Sequence, residues 1–240
     1  VPSNVTRADN KIGNALQRGY GITPHADHFL AVTSLQAVLP NGAIYRTPLT
    51  ELGAATIDRA FKWGVGPYLD GMFTQGNFGI VTRMTIALAA VPERVAAFFF
   101  GVPRDEDLER AVVAVRGVLR EVQGVAGSVN LMNTRRVLSM MLPYPRERVG
   151  PEGIVSTDHL LMLARRNQVM PWTGAGALYG NGRIVAAAKS VVRARLRGVA
   201  RRLVFFTPRS VGVLGAVSRL VPGDLGRNVR NLAATLDRTL

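Results

Sequence analysis

No cysteine occurs among the 240 residues. Disulfides, thiolate metal sites and a thiol nucleophile are therefore excluded. Long apolar runs are missing too. The longest stretch free of Asp, Glu, Lys and Arg runs from His28 to Tyr45, and Pro40-Asn41-Gly42 interrupts it, so it is no membrane-spanning helix. The sequence opens on Val1-Pro2-Ser3 without Met, and no charged segment leads into an apolar one. The start predicts a processed chain or a piece of a longer one, and the missing leader predicts a cytoplasmic location. Neither GxxxxGK[ST], GxGxxG nor GxSxG is present, so kinase, nicotinamide-dehydrogenase and hydrolase chemistry lack local support.

Acidic residues are scarce. Lys and Arg number 30 against 16 Asp and Glu, a net charge of +14, while 48% of residues are apolar. That apolar content excludes global disorder, and the length suits one large or two small domains. The charge is uneven. Residues 1–100 carry 8 basic and 6 acidic side chains, the rest 22 and 10, and no acid stands between His159 and Gly223. Lys189, Arg193, Arg197 and Arg201 recur every four residues, widened by Arg195 and Arg202. Two readings of this stripe follow. It is the solvated face of a helix whose Val185, Ala188, Val192, Leu196 and Val199 meet a core, or it is a surface for nucleic acid or anionic lipid. No aromatics interleave with the stripe, which disfavours nucleic acid.

The first 95 residues read as strands and turns. Phe29–Leu39 is largely apolar, Pro40-Asn41-Gly42 signals a hairpin, and Ala43–Thr47 returns. In Gly79–Ala89, Ile80, Thr82, Met84, Ile86 and Leu88 alternate, which predicts a strand with those residues on its half-buried face. Pro92 punctuates the chain and places a domain boundary near 90–95. Beyond it the sequence predicts strand 96–102, a helix capped by Asp105 with Leu108, Val112, Val115 and Leu119 inward, and strand 124–132. Helices over 133–142 and 157–168, strand 172–179, helix 183–199, strand 203–207 and a last helix over 228–240 complete the reading. Strand–helix–strand thus occurs twice, which predicts an α+β (α/β) layer of helices on a sheet.

Three segments are more specific. They are Gly13–His28 (GNALQRGYGITPHADH), Val38–Gly42 closing at Arg46-Thr47, and Phe61–Thr82 (FKWGVGPYLDGMFTQGNFGIVT). Together they resemble the flavoprotein family of vanillyl-alcohol oxidase and p-cresol methylhydroxylase over roughly residues 10–92. Trp172–Gly180 (WTGAGALYG) resembles the start of that family's substrate domain. The resemblance implies that residues 1–95 are the C-terminal half of a PCMH-type FAD-binding domain. Residues 96–240 then begin an α/β substrate (cap) domain of antiparallel sheet and helices.

By the same resemblance the chemistry is FAD-dependent: hydride passes from the benzylic carbon of a phenolic alcohol or alkylphenol to flavin. The resulting quinone methide takes up water or loses a proton. Asp27 takes the place of the family's carboxylate near flavin N5, the catalytic position. Thr23, Pro24, Gly76, Asn77, Gly79, Ile80 and Val81 fall on the cofactor side. Glycine-rich backbone permits close approach to a ring, and strand N–H and C=O groups suit its polar edge.

The sequence also departs from the family. His25-Ala26 stands where relatives carry Tyr-Gly, and the Gly-rich pyrophosphate loop and the later segment with the phenolate-binding Tyr and Arg are not in it. The resemblance therefore implies a middle piece of a longer enzyme. Its partners would be a phenolic substrate and a second copy or a complementing chain, as in a split enzyme. The competing reading is a non-catalytic basic binding protein derived from a flavoenzyme. Beside these stand blander assignments: Asp27 in an Asx-type turn or cap, Asp70-Gly71 as a turn with Trp63 and Phe73 as core, Gly76, Asn77 and Gly79 as tight backbone, and His25, Asp27 and His28 as a minimal metal set.

Overall fold

The computed structural model describes residues 9–20, 27–150 and 153–207. The helix expected over 228–240 and the candidate residues Thr23 and Pro24 lie outside them. The chain divides into two compact units, residues 1–91 and 92–240.

In the first unit helix α1 (Asp9–Leu16) precedes β1 (Val32–Val38), β2 (Ile44–Arg46), helices α2 (Pro48–Glu51) and α3 (Ala55–Ala60), and β3 (Ile80–Ile86). The three strands form an antiparallel sheet with β1 in the centre. Gly42 adopts φ +82° at the β1–β2 turn, and the Asn41 side chain accepts the Ala43 N–H. Leu35, Ala37 and Phe73 are buried together, and Leu16, Phe29, Leu39, Tyr45 and Val81 pack around them.

The inward face of β3 differs from the expected one. Gln36 pairs with Arg83 but Ala37 pairs with Val81, so Thr82 is an extra residue in a β-bulge. The bulge breaks the two-residue alternation. Met84 and Val81 then lie opposite Leu35 and Ala37, while Ile80 is 74% exposed.

The second unit contains β4 (Arg94–Val102), α4 (Leu108–Glu121), β5 (Ala126–Asn133), α5 (Thr134–Met141), α6 (Thr157–Arg166), β6 (Trp172–Gly180), α7 (Gly182–Leu196) and β7 (Arg201–Phe206). Its antiparallel sheet runs β5-β6-β4-β7. Alternate residues of β4, namely Ala96, Phe98, Phe100 and Val102, point to one face. Ala111, Ala114, Val115 and Val118 of α4 and Val185, Ala188, Val192 and Leu196 of α7 cover that face. Each Phe, Val or Leu side chain so buried contributes about 1.5–3 kcal/mol. The result is helix on antiparallel sheet, an α+β arrangement.

Details were redistributed. Asp105 does not cap α4; its carboxylate accepts the Trp172 indole N–H at 2.7 Å, and Asp107 instead binds Arg104 and Arg110. The inward face of α4 is turned from the expected one, with Val112 40% exposed. The basic stripe is not one helix face, because α7 ends at Leu196 and Gly198 turns the chain at φ +77°. Lys189 and Arg193 lie over the Phe205 ring, Arg195 pairs with Glu121, and Arg202 donates to Gln168. Four of the cations are thus engaged inside the unit.

Candidate functional site

The resemblance-bearing segments meet in the first unit. The Asp27 turn sits between α1 and β1. Tyr20 and Asp27 form an isolated antiparallel bridge, and the His28 N–H donates to Gly19 O at 3.1 Å. His28 Nδ1 lies 2.8 Å from the Asn14 amide nitrogen. Asp27 is exposed, and its Oδ1 accepts the Leu30 N–H, three residues on, at 2.9 Å, as a capping carboxylate does.

The second group of candidates follows a 3₁₀ turn at Asp70–Phe73. Gln75 takes φ +48°, and Gly76, Asn77 and Gly79 lead into Ile80 and Val81 at the start of β3. Both glycines are required by close backbone approach. A Cβ on Gly76 would stand 2.8 Å from Met72 O, and one on Gly79 would stand 2.6 Å from Val38 O. Val81 faces the core, whereas Phe78 is 51% exposed beside the still more exposed Ile80.

The turn following α1 joins the two groups. The Gln75 N–H donates to Leu16 O at 2.9 Å, and the Arg18 guanidinium donates twice to Thr74 Oγ1, at 3.1 and 2.9 Å. One residue later, Gly19 and Tyr20 hold His28 and Asp27. The short Leu16–Tyr20 segment therefore carries the Asp27 turn on one side and the Thr74–Val81 loop on the other.

Three polar side chains near this loop were not singled out from the sequence. Asp70, expected at most as a turn residue, is wholly buried. It accepts hydrogen bonds from Tyr45 Oη at 2.5 Å and Thr47 Oγ1 at 2.9 Å. Burial raises its pKa, which those hydrogen bonds and the nearby Lys62 charge oppose. Burial, and then the bond to Asp70, raises the pKa of Tyr45. Burial also raises that of Tyr68, whose hydroxyl has no hydrogen-bond partner among the described residues.

Lys62 reaches back from the third motif to the Asp27 turn. Its ammonium donates to Phe29 O at 2.7 Å, Leu30 O at 3.2 Å and Val32 O at 3.1 Å. It lies 4.7 and 5.1 Å from the ring centres of Phe29 and Tyr68. Desolvation lowers its pKa, and Asp27 and Asp70 push it back up. Phe73 is core as expected, but Trp63 is 67% exposed and meets Tyr68 edge-on at 5.0 Å. The signal for Lys62 and Tyr68 was the unusual composition of the motif, which names the segment without assigning roles within it.

A cavity of about 620 Å³ lies elsewhere, around Arg116, Arg120, Glu121 and Arg195 of α4 and α7, and contains none of the motif residues.

No family model matches the chain. Individual proteins do. Over 227 residues the sequence is 34% identical to 1'-carboxy-chondrochloren decarboxylase of Chondromyces crocatus, a match covering 91% of this chain and 41% of that protein. Over 123 residues it is 37% identical to the flavoprotein subunit of 4-cresol dehydrogenase [hydroxylating] of Pseudomonas putida, covering 51% of the chain and 23% of the subunit. The chain thus spans less than half the length of the curated relatives it matches. Among solved structures it superposes on substrate-bound p-cresol methylhydroxylase with a TM-score of 0.70 at 27% identity, covering 92% of this chain and 44% of that one. The 4-ethylphenol oxidase of Gulosibacter chungangensis shares the fold, with a TM-score of 0.72 at 21% identity over 93% of this chain and 40% of that one. By sequence and by fold, the chain resembles part of the vanillyl-alcohol oxidase and p-cresol methylhydroxylase family of FAD-linked oxidases.

Proposed function

We propose that this chain is part of an FAD-dependent oxidoreductase that takes hydride from a phenolic alcohol, an alkylphenol or a related substrate. Residues 1–95 are the C-terminal part of its FAD-binding domain, and residues 96–240 belong to its substrate domain.

The observation that carries this reading is the edge of the first sheet. β3 is its last strand among the described residues, and Ile80 at its start is 74% exposed. The outward N–H and C=O groups of an edge strand suit the polar rim of a flavin ring, and a bare apolar side chain suits its face. The residues present therefore fit the cofactor. Gly79 brings the strand start against Val38 O and Gly76 sets the loop against Met72 O, each without an intervening Cβ, with Asn77 between them, and Ile80 and Val81 would hold the ring edge. When bound, FAD supplies the hydride acceptor. Asp27 contributes an exposed carboxylate held by the Leu30 N–H, which would orient or receive a proton at the reacting substrate.

The matched decarboxylase covers more of the chain than the cresol dehydrogenase does, so a carboxylate-bearing substrate that loses carbon dioxide is a second reading. The test is anaerobic mixing of the FAD-loaded protein, completed with the segments that its relatives carry beyond this match, with a para-alkylphenol or a carboxylated phenol. Bleaching of flavin by the alkylphenol supports hydride abstraction. Carbon dioxide released only from the carboxylated phenol favours the second reading. Neither response with bound flavin overturns both.

A further inference from the structure

We propose that Lys62 is a positioning residue that holds the Asp27 carboxylate in place through a single peptide group. This rests on the reading of Asp27 as the residue at the reacting centre. The peptide joining Phe29 to Leu30 is bonded at both ends. Its carbonyl, Phe29 O, accepts from Lys62 Nζ at 2.7 Å, and its N–H, on Leu30, donates to Asp27 Oδ1 at 2.9 Å. A peptide group is planar and rigid, so fixing its oxygen fixes the direction of its hydrogen. A cation on the oxygen also polarises the N–H and strengthens its bond to the carboxylate.

Lys62 does not hold that peptide alone. It also binds the carbonyls of Leu30 and Val32, so the turn from Phe29 to the start of β1 is pinned at three points. The ammonium is itself confined, lying over the rings of Phe29 and Tyr68. Asn14 and Gly19 hold the neighbouring His28. The turn is thus anchored at His28 as well as at Phe29, Leu30 and Val32, and among the described residues it is the Lys62-held peptide that is bonded to the Asp27 carboxylate. A methionine could fill the same apolar slot against Phe29 and Tyr68, but three carbonyls would lose their donor.

The experiment compares the 240-residue chain with its Lys62→Met, Lys62→Gln and Lys62→Arg variants by amide hydrogen exchange in NMR. In Lys62→Met the Leu30 N–H is expected to exchange roughly tenfold faster, the effect of losing about one hydrogen bond, while Leu35 and Ala37 keep their protection. Lys62→Arg retains most of the protection. If Lys62→Met does not fold, Lys62→Gln, which keeps an uncharged NH2 donor group, takes its place with the same expectation at smaller amplitude. Unchanged Leu30 exchange in a folded variant, or equal acceleration at Leu30, Leu35 and Ala37, overturns the proposal.

In the completed, FAD-loaded protein Lys62→Met is expected to lower kcat more than it raises KM, and to add little to Asp27→Asn. Equal slowing in both backgrounds contradicts action through Asp27. An Asp27→Asn variant that reduces flavin at the wild-type rate overturns the reading of Asp27 instead, a failure that the Leu30 exchange distinguishes.

Discussion

Phe100 of β4 lies directly opposite Gly174 of β6, and its ring fills the space a side chain at 174 would need. A Cβ built on Gly174 would come within 2.1 Å of two ring atoms of Phe100. Two residues along, Phe98 stands against Gly176 in the same way, with 2.6 Å to the nearest ring atom. The alternating glycines of WTGAGALYG thus answer the alternating phenylalanines of β4 across the sheet. Gly174→Ala is expected to destabilise the chain by about 1–3 kcal/mol through overpacking. Combined with Phe100→Leu, part of that loss should be recovered, and a denaturation double-mutant cycle measures the coupling.

The buried Asp70 carboxyl predicts a pH dependence. Its folded-state pKa is raised, chiefly by burial, so the folded state binds its proton more tightly than the unfolded state does. Stability should therefore be fully present below the ordinary carboxylate value of about 4 and be lost as pH rises through the raised value. Asp70→Asn should flatten this component of the profile. Tyr45→Phe, which leaves the carboxylate one donor short, should cost about 1–3 kcal/mol near neutral pH. Urea midpoints across pH check both.

On the proposed reading, Ile80 separates folding from cofactor binding. Its exposure means that Ile80→Asp should change the stability of the chain by less than about 0.5 kcal/mol. The same substitution should sharply weaken flavin retention, because it sets a charge against an apolar ring. Denaturation and flavin titration on the same variant read the two effects.

Asp27→Asn preserves size and leaves an oxygen to accept the Leu30 N–H. The turn should therefore persist, as Leu30 exchange would report. Substrate-driven flavin reduction should fall by about 10²-fold or more if the carboxylate takes part in proton handling. Rapid-mixing kinetics measures it.

Much of this was legible in the sequence. Val32–Val38 and the Gly42 turn followed from local chemistry, and the inward face of α7 followed from its spacing. The motif segments carried the family. What escaped is non-local. The bulge at Thr82 depends on pairing with β1 and moves the inward position at the start of β3 from Ile80 and Thr82 to Val81, while Met84 stays inward. The bond from Asp105 to Trp172 spans 67 positions, so local capping rules could not reveal it. The Lys62–Phe29 bond spans 33 positions and the Tyr45–Asp70 bond 25, and both needed the fold before either partner had a role. The basic stripe looked continuous because a four-residue spacing persists past the end of α7, where Gly198 turns the chain.

The most direct measurement is flavin retention. The chain is combined with the segments its relatives carry beyond this match, incubated with FAD, desalted and scanned in the visible range. The account predicts that the flavin absorption band elutes with the protein in near-stoichiometric amount and is lost in Ile80→Asp. Folded wild-type protein that elutes without flavin contradicts it.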